Sequence, residues 1–231
     1  MTQREDHAHW DRRLAAELEL LEWFEEHFHP PRIEALQEKI IPFTEDRTPL
    51  LMDAVLLNGA AADDIQRASL MLHEALRLLA SASTTEINPL LGSVLRALRK
   101  TCAARELLYR RRATAPAVDR HFLEPAARDH AARFAPSAGE DSGIIHLDES
   151  SAPYRRGAVT VYVPEWDYPR PVPLVAALHG GLGHGRDFIW TMLREARTRG
   201  FILMAPSSLG RTWSIIEPAE EMGNLLAAVE T

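Results

Sequence analysis

VPLVAALHGGLGHGRDF, running from Val172 to Phe188, passes from a near-continuous apolar run into a turn with four glycines and then into the start of a helix. Pro173 to Leu178 reads as a strand covered on both faces, since a half-exposed strand would alternate apolar and polar residues. His179 to Gly185 is the turn. Phe188, Met192 and Ala196 then mark one face of a helix that stops near Gly200, and Phe201 to Ala205 is a second buried strand. A strand, a helix and a strand in this order imply a parallel pair. Glu217 to Val229 has the pattern of a further amphipathic helix.

Upstream, Ile144 to Leu147 and Ala158 to Val163 are short apolar runs. The second alternates Val159, Val161 and Val163 against Thr160 and Tyr162, as a half-buried strand does. Further back the composition changes: residues 1 to 135 hold only Gly59 and Gly92, and the other ten of the 12 glycines follow. A glycine-poor half suits packed helices and a glycine-rich half suits strands with tight turns. The expected class is therefore α+β: a helical domain over 1–135, a linker over 136–143 within APSAGEDSG (Ala135 to Gly143), and a sheet-containing domain over 144–231. Charge does not separate the halves.

Four to six helices are expected in the first half. Trp10, Leu14, Leu18 and Leu21 lie on one helical face, and His29-Pro30-Pro31 should end that helix. Ile33 to Ile40 reads as a short helix. Ile65, Ser69, Leu72, Leu76 and Leu79 mark the inner face of another, with Asp63 and Asp64 in its N-cap region. Asn88-Pro89 predicts an N-cap and first position, with Leu91, Leu95, Leu98 and Cys102 as the inward stripe. A last helix over Pro116 to Phe134 would bury Val118, Phe122 and Ala126.

Composition excludes several function classes. With 231 residues, 46% hydrophobic and 26% charged, the chain is of ordinary globular make-up. One cysteine, Cys102, can form neither an internal disulfide nor a multi-thiolate metal site, and it falls on an apolar helical face as a core thiol would. The net charge of -7 disfavours a nucleic-acid partner. No apolar signal follows the charged start MTQREDHAHWDRR, and no transmembrane segment is legible, so the expected location is cytoplasmic.

No metal site is expected, because the ten histidines show no H-E-x-x-H spacing and His73-Glu74 lacks a second histidine. Gly180 to Asp187 departs from a phosphate loop: arginine and aspartate stand where lysine and a hydroxyl residue are needed. Arg110, Arg111 and Arg112, after Tyr109, complement the dipole of a helix C-terminus or form a docking patch for an acidic partner. Trp190 reads as helix-to-sheet packing.

A buried strand running into His179-Gly180-Gly181 resembles the third strand and oxyanion loop of the α/β-hydrolase superfamily. GFILMAPSSLGRTWS, Gly200 to Ser214, is similar to the fourth strand and following loop of the phospholipase/carboxylesterase-like serine esterases. The resemblance covers about residues 144 to 231 and implies strands 1 to 4 of the hydrolase sheet, the first two antiparallel. It implies hydrolysis of a small-molecule carboxylic ester through a serine, with no cofactor. Gly181 and Leu182 would be the backbone oxyanion donors, and Gly180, His184 and Trp213 would touch substrate; His179 would orient the loop.

The resemblance stops at the nucleophile. The family's G-x-S-x-G elbow, acid and base, in that order, are missing. Ser142, in Gly139-Glu140-Asp141-Ser142-Gly143, precedes the sheet and has its first glycine one place too far away. Ser207 and Ser208 follow the fourth strand without the glycines, and Ser93 follows Gly92 in a helix. The expectation is a hydrolase truncated before its elbow, inactive alone, with the third strand left as an open edge that self-associates. The alternative is a non-catalytic helical interaction protein with a hydrolase-like scaffold remnant.

Overall fold

A computed structural model describes residues 3–27, 37–38, 59–82, 86–135, 143–147, 154–166, 171–181, 183–210, 212–213 and 223. The chain falls into two compact units, Met1–His121 and Phe122–Thr231. The expected linker over 136–143 lies, except for Gly143, outside the described residues, as do the expected helices over Ile33 to Ile40 and Glu217 to Val229 for most of their length.

The first unit contains α1 (Gln3–His27), α2 (Gly59–Ala80), α3 (Ile87–Tyr109) and α4 (Pro116–His121). Helix α1 ends just ahead of His29-Pro30-Pro31 and buries Leu14, Leu18 and Leu21 as expected, together with Leu20 and Phe24. The inner face of α2 is also as expected: Ile65, Ser69, Leu72, Leu76 and Leu79 are all buried. Its start is not. Helix α2 begins at Gly59, which puts Asp63 and Asp64 inside it, and Asp64 accepts hydrogen bonds from the Arg111 guanidinium at the end of α3.

Helix α3 starts earlier than expected, with Glu86 rather than Asn88 at its N-cap. Pro89 then falls in the first turn, where its missing N–H has no intrahelical acceptor to lose. The stripe shifts with the start. Leu91 is exposed, and the buried line is Val94, Ala97, Thr101, Ala104 and Leu108. These keep the three-and-four spacing with smaller side chains, which lets α2 and α3 approach closely along their length. Cys102 is buried beside them.

The single helix expected over Pro116 to Phe134 is two segments. Helix α4 stops at His121, and a 3-10 helix spans Pro125–Phe134. Proline is the cause, because its ring clashes with the carbonyl four residues back, here His121, and drives the preceding residue out of helical geometry. Glu124 accordingly has ψ 144. Val118 and Phe122 are buried as expected, but Ala126 is exposed. The 3-10 segment groups with the second unit: Phe134 meets Trp166 edge-on at 5.4 Å, and Arg199 on α6 (Leu193–Arg199) pairs with Glu124 at 2.6 Å.

The second unit is built on a four-stranded mixed sheet, β1 (Gly143–Leu147), β2 (Val159–Val163), β3 (Leu174–Ala176) and β4 (Ile202–Pro206), in the order β1-β2-β4-β3. Strands β1 and β2 are antiparallel, as are β2 and β4, whereas β3 and β4 are parallel. Between β3 and β4 run α5 (Gly185–Phe188), a 3-10 turn (Ile189–Thr191) and α6, which ends where Gly200 takes φ 73. A left-handed C-cap favours a residue without Cβ. Molecule-wide, the class is α+β.

Two expectations about burial change. Strand β2 is buried on both faces, with Thr160 and Tyr162 covered as well as Val159 and Val161, and α5 and the 3-10 turn after it pack against the strand. Strand β3, expected to be covered on both faces, is the outer strand: Leu174 is 44% exposed and Ala176 is exposed too. Among the described residues it pairs only with β4.

Candidate functional site

The residues after β3 form a tight turn, Gly180 to Gly183, closed by the Gly183 N–H donating to the Gly180 carbonyl at 3.1 Å. His179 fixes it. The Ser208 N–H donates to His179 Nε2 at 3.1 Å, so the ring proton sits on Nδ1, which donates to the Gly180 carbonyl at 2.7 Å. Trp213 stacks tilted against the His179 ring at 5.1 Å, and its indole N–H donates to the His179 carbonyl at 2.9 Å. The loop after β4 thus holds both the ring and the backbone of the residue that leads into the turn.

The glycines of this turn divide by what they need. A Cβ on Gly185 would lie 2.0 Å from the Ala205 carbonyl oxygen, and one on Gly183 would lie 3.0 Å from the Gly180 oxygen. Those two are required by packing against β4 and within the turn. Among the described residues a Cβ on Gly180 would meet nothing within 4 Å, and one on Gly181 would meet only the Thr212 methyl, at 3.6 Å. Nor does either have positive φ; in this unit Gly143, Gly157 and Gly200 do. Gly180 and Gly181 are exposed, and among the described residues the Gly181 N–H has no acceptor.

The other expected site residues fall differently. Leu182 lies outside the described residues. His184 is buried behind the turn and caps α5: Nδ1 accepts from the Arg186 N–H at 3.1 Å, and Nε2 donates to the Arg155 carbonyl at 3.0 Å. Both its nitrogens are engaged within the chain. Trp213, by contrast, stands half-buried beside the turn. Ser207 is buried, its Oγ accepting from the Gly185 N–H at 2.9 Å, and the Ser208 hydroxyl donates to the Gly210 carbonyl at 3.0 Å. Neither hydroxyl is directed at an imidazole. No group of three or more His, Cys, Asp or Glu residues suited to a metal ion occurs among the described residues. No described helix is long and apolar enough to cross a membrane.

One contributor was not legible beforehand. Tyr154, Arg155 and Arg156, from the turn ahead of β2, each bond to the segment after β3: Tyr154 through its hydroxyl to Asp187 Oδ1 at 3.0 Å, Arg155 through its carbonyl to His184, and Arg156 through Nη1 to the Gly183 carbonyl at 2.8 Å. The signal available was turn chemistry alone, Arg-Arg-Gly before a strand. Compared with known proteins, the chain matches no family model, no curated protein and no solved structure.

Proposed function

We propose that the Gly180–Gly183 turn is the oxyanion side of a serine carboxylic-ester hydrolase of the phospholipase/carboxylesterase type. The observation that carries this reading is the freedom of Gly180 and Gly181: among the described residues neither packing nor a positive φ requires glycine there, and both are exposed beside Trp213. Glycine at such positions clears room for a group from outside the chain. The strand order β1-β2-β4-β3, with an antiparallel first pair and a parallel last pair, agrees with the front half of a hydrolase sheet.

In this reading the Gly181 N–H receives the carbonyl oxygen of an ester and stabilises the negative charge that develops on it during acyl transfer. Donors fixed before the reaction act without reorganising, each by roughly 3 kcal/mol. His179 strengthens the same donor. The Gly180 carbonyl accepts from both His179 Nδ1 and the Gly183 N–H, and it belongs to the peptide group whose N–H is that of Gly181. Hydrogen bonds on one side of a peptide group polarise the other. No G-x-S-x-G elbow occurs in these 231 residues, so in this reading they carry the oxyanion side of the chemistry and not its nucleophile.

The test is labelling with a fluorophosphonate, applied to the product of the complete gene and to residues 1–231 alone. The expected result is no label on residues 1–231 and, where the gene product is longer, one labelled serine beyond them. Label on Ser207 or Ser208, or none on either protein, overturns the reading.

A further inference from the structure

The turn Arg155-Arg156-Gly157-Ala158 is closed by the Ala158 N–H donating to the Arg155 carbonyl at 3.4 Å. Gly157 has φ 79, a conformation that a residue with a side chain rarely adopts, and a Cβ there would also lie 2.9 Å from Leu209. This geometry fixes the residue before it. Arg156 lies at the corner of the turn, and its guanidinium donates to the Gly183 carbonyl.

We infer that Arg156 is a positioning residue of the glycine turn: together with His179 it engages the carbonyl oxygens at the two ends of the turn, Gly180 and Gly183, so that these two do not compete as acceptors for an incoming group. The inference rests on the oxyanion reading and deepens it. Gly180 and Gly183 bracket the turn, and each carbonyl is held by a side chain, His179 at 2.7 Å and Arg156 at 2.8 Å. A charge-assisted bond from a guanidinium is stronger than a neutral one. A surface that offers donors and hides acceptors selects an oxyanion, a carboxylate or a phosphonate oxygen over a cation or a neutral amine.

Arg156 is not joined to the turn alone. The neighbouring Tyr154–Asp187 and Arg155–His184 bonds dock the same segment onto the start of α5. Loss of the Arg156 side chain therefore leaves the segment in place and frees only the Gly183 carbonyl, which makes the residue separable from the fold.

The experiment is amide hydrogen exchange by mass spectrometry on the full 231-residue chain, comparing wild type with Arg156→Met and Arg156→Lys, each with and without butylphosphonate. The expected result is about tenfold faster exchange across 179–184 in Arg156→Met, with β2 and β4 unchanged, and most of the protection restored by lysine. Butylphosphonate slows exchange at 180–183 in wild type and binds about tenfold more weakly to Arg156→Met. Unchanged exchange at 179–184 in Arg156→Met overturns the inference, as does equal acceleration throughout β4, which would make Arg156 a general fold contact. If Arg156→Met loosens the turn but butylphosphonate protects nothing in wild type, the tether stands and the oxyanion reading fails.

Discussion

The imidazole of His179 accepts the backbone N–H of Ser208 at 3.1 Å through Nε2, and this fixes which nitrogen is left to donate into the glycine turn. The end of β4 therefore determines the tautomer of a residue at the end of β3. With its ring buried and Trp213 packed on it, His179 links both loops at the same end of the sheet. His179→Ala leaves the Ser208 N–H without an acceptor and the Gly180 carbonyl with one donor fewer. We expect a loss of about 1–3 kcal/mol in denaturant unfolding followed by tryptophan fluorescence, with His179→Phe no better. Wild-type stability in either variant would show that these bonds contribute nothing.

Two glycine substitutions separate packing from clearance. Gly185→Ala drives a Cβ to 2.0 Å from the Ala205 carbonyl and should cost at least about 3 kcal/mol. Gly180→Ala meets nothing among the described residues and should leave stability within about 0.5 kcal/mol, while weakening binding of a small phosphonate in the turn. The comparison needs only melting curves and a titration.

In the helical unit, His73 Nε2 and Glu17 Oε1 are 3.3 Å apart between α2 and α1, both residues are buried, and Glu17 Oε2 has no partner. Removing one member strands the other. His73→Leu should destabilise this unit by about 3 kcal/mol, whereas the double change Glu17→Leu with His73→Leu should recover most of that loss, because an apolar pair carries no desolvation penalty. A double-mutant cycle read by urea unfolding measures the difference, and additive losses would contradict it.

Strand β3 presents an uncharged outer edge, with Leu174 at 44% and Leu178 at 43% exposure. Such an edge recruits other strands. The chain should self-associate in sedimentation velocity at micromolar concentration, and Leu174→Lys should shift it toward monomer by placing a charge on the edge. A wild-type chain that stays monomeric across the same range would contradict this.

How much of this was legible in the sequence follows from which forces act locally. All four strands fall within a residue or two of their apolar runs, and the α2 stripe from Ile65 to Leu79 is visible because one helical face is apolar and the rest is not. The α3 stripe is not legible because large leucines occupy more than one face, and the close partner selects Ala97 and Ala104 over Leu91 and Leu95. Burial of Glu17, His73 and Arg105 was not readable either, since charged residues are buried only where a tertiary partner awaits them. In the site, the glycine turn and the loop-orienting bonds of His179 were legible as a motif. The inward placement of His184 and the reach of Arg156 to Gly183 depend on how the turn ahead of β2 docks, and no local pattern encodes that.

The central claim is that Gly180 and Gly181 leave room for an oxygen supplied from outside the chain. Selective ¹⁵N-glycine labelling gives one amide signal for each of 12 glycines, and Gly181 is assigned by its loss in Gly181→Ala. Titration with butylphosphonate should move Gly181 most and Gly180 next, leaving Gly92 and Gly200 in place. Signals that all stay fixed up to millimolar probe, or that shift at Gly92 or Gly200 rather than at the turn, would contradict it.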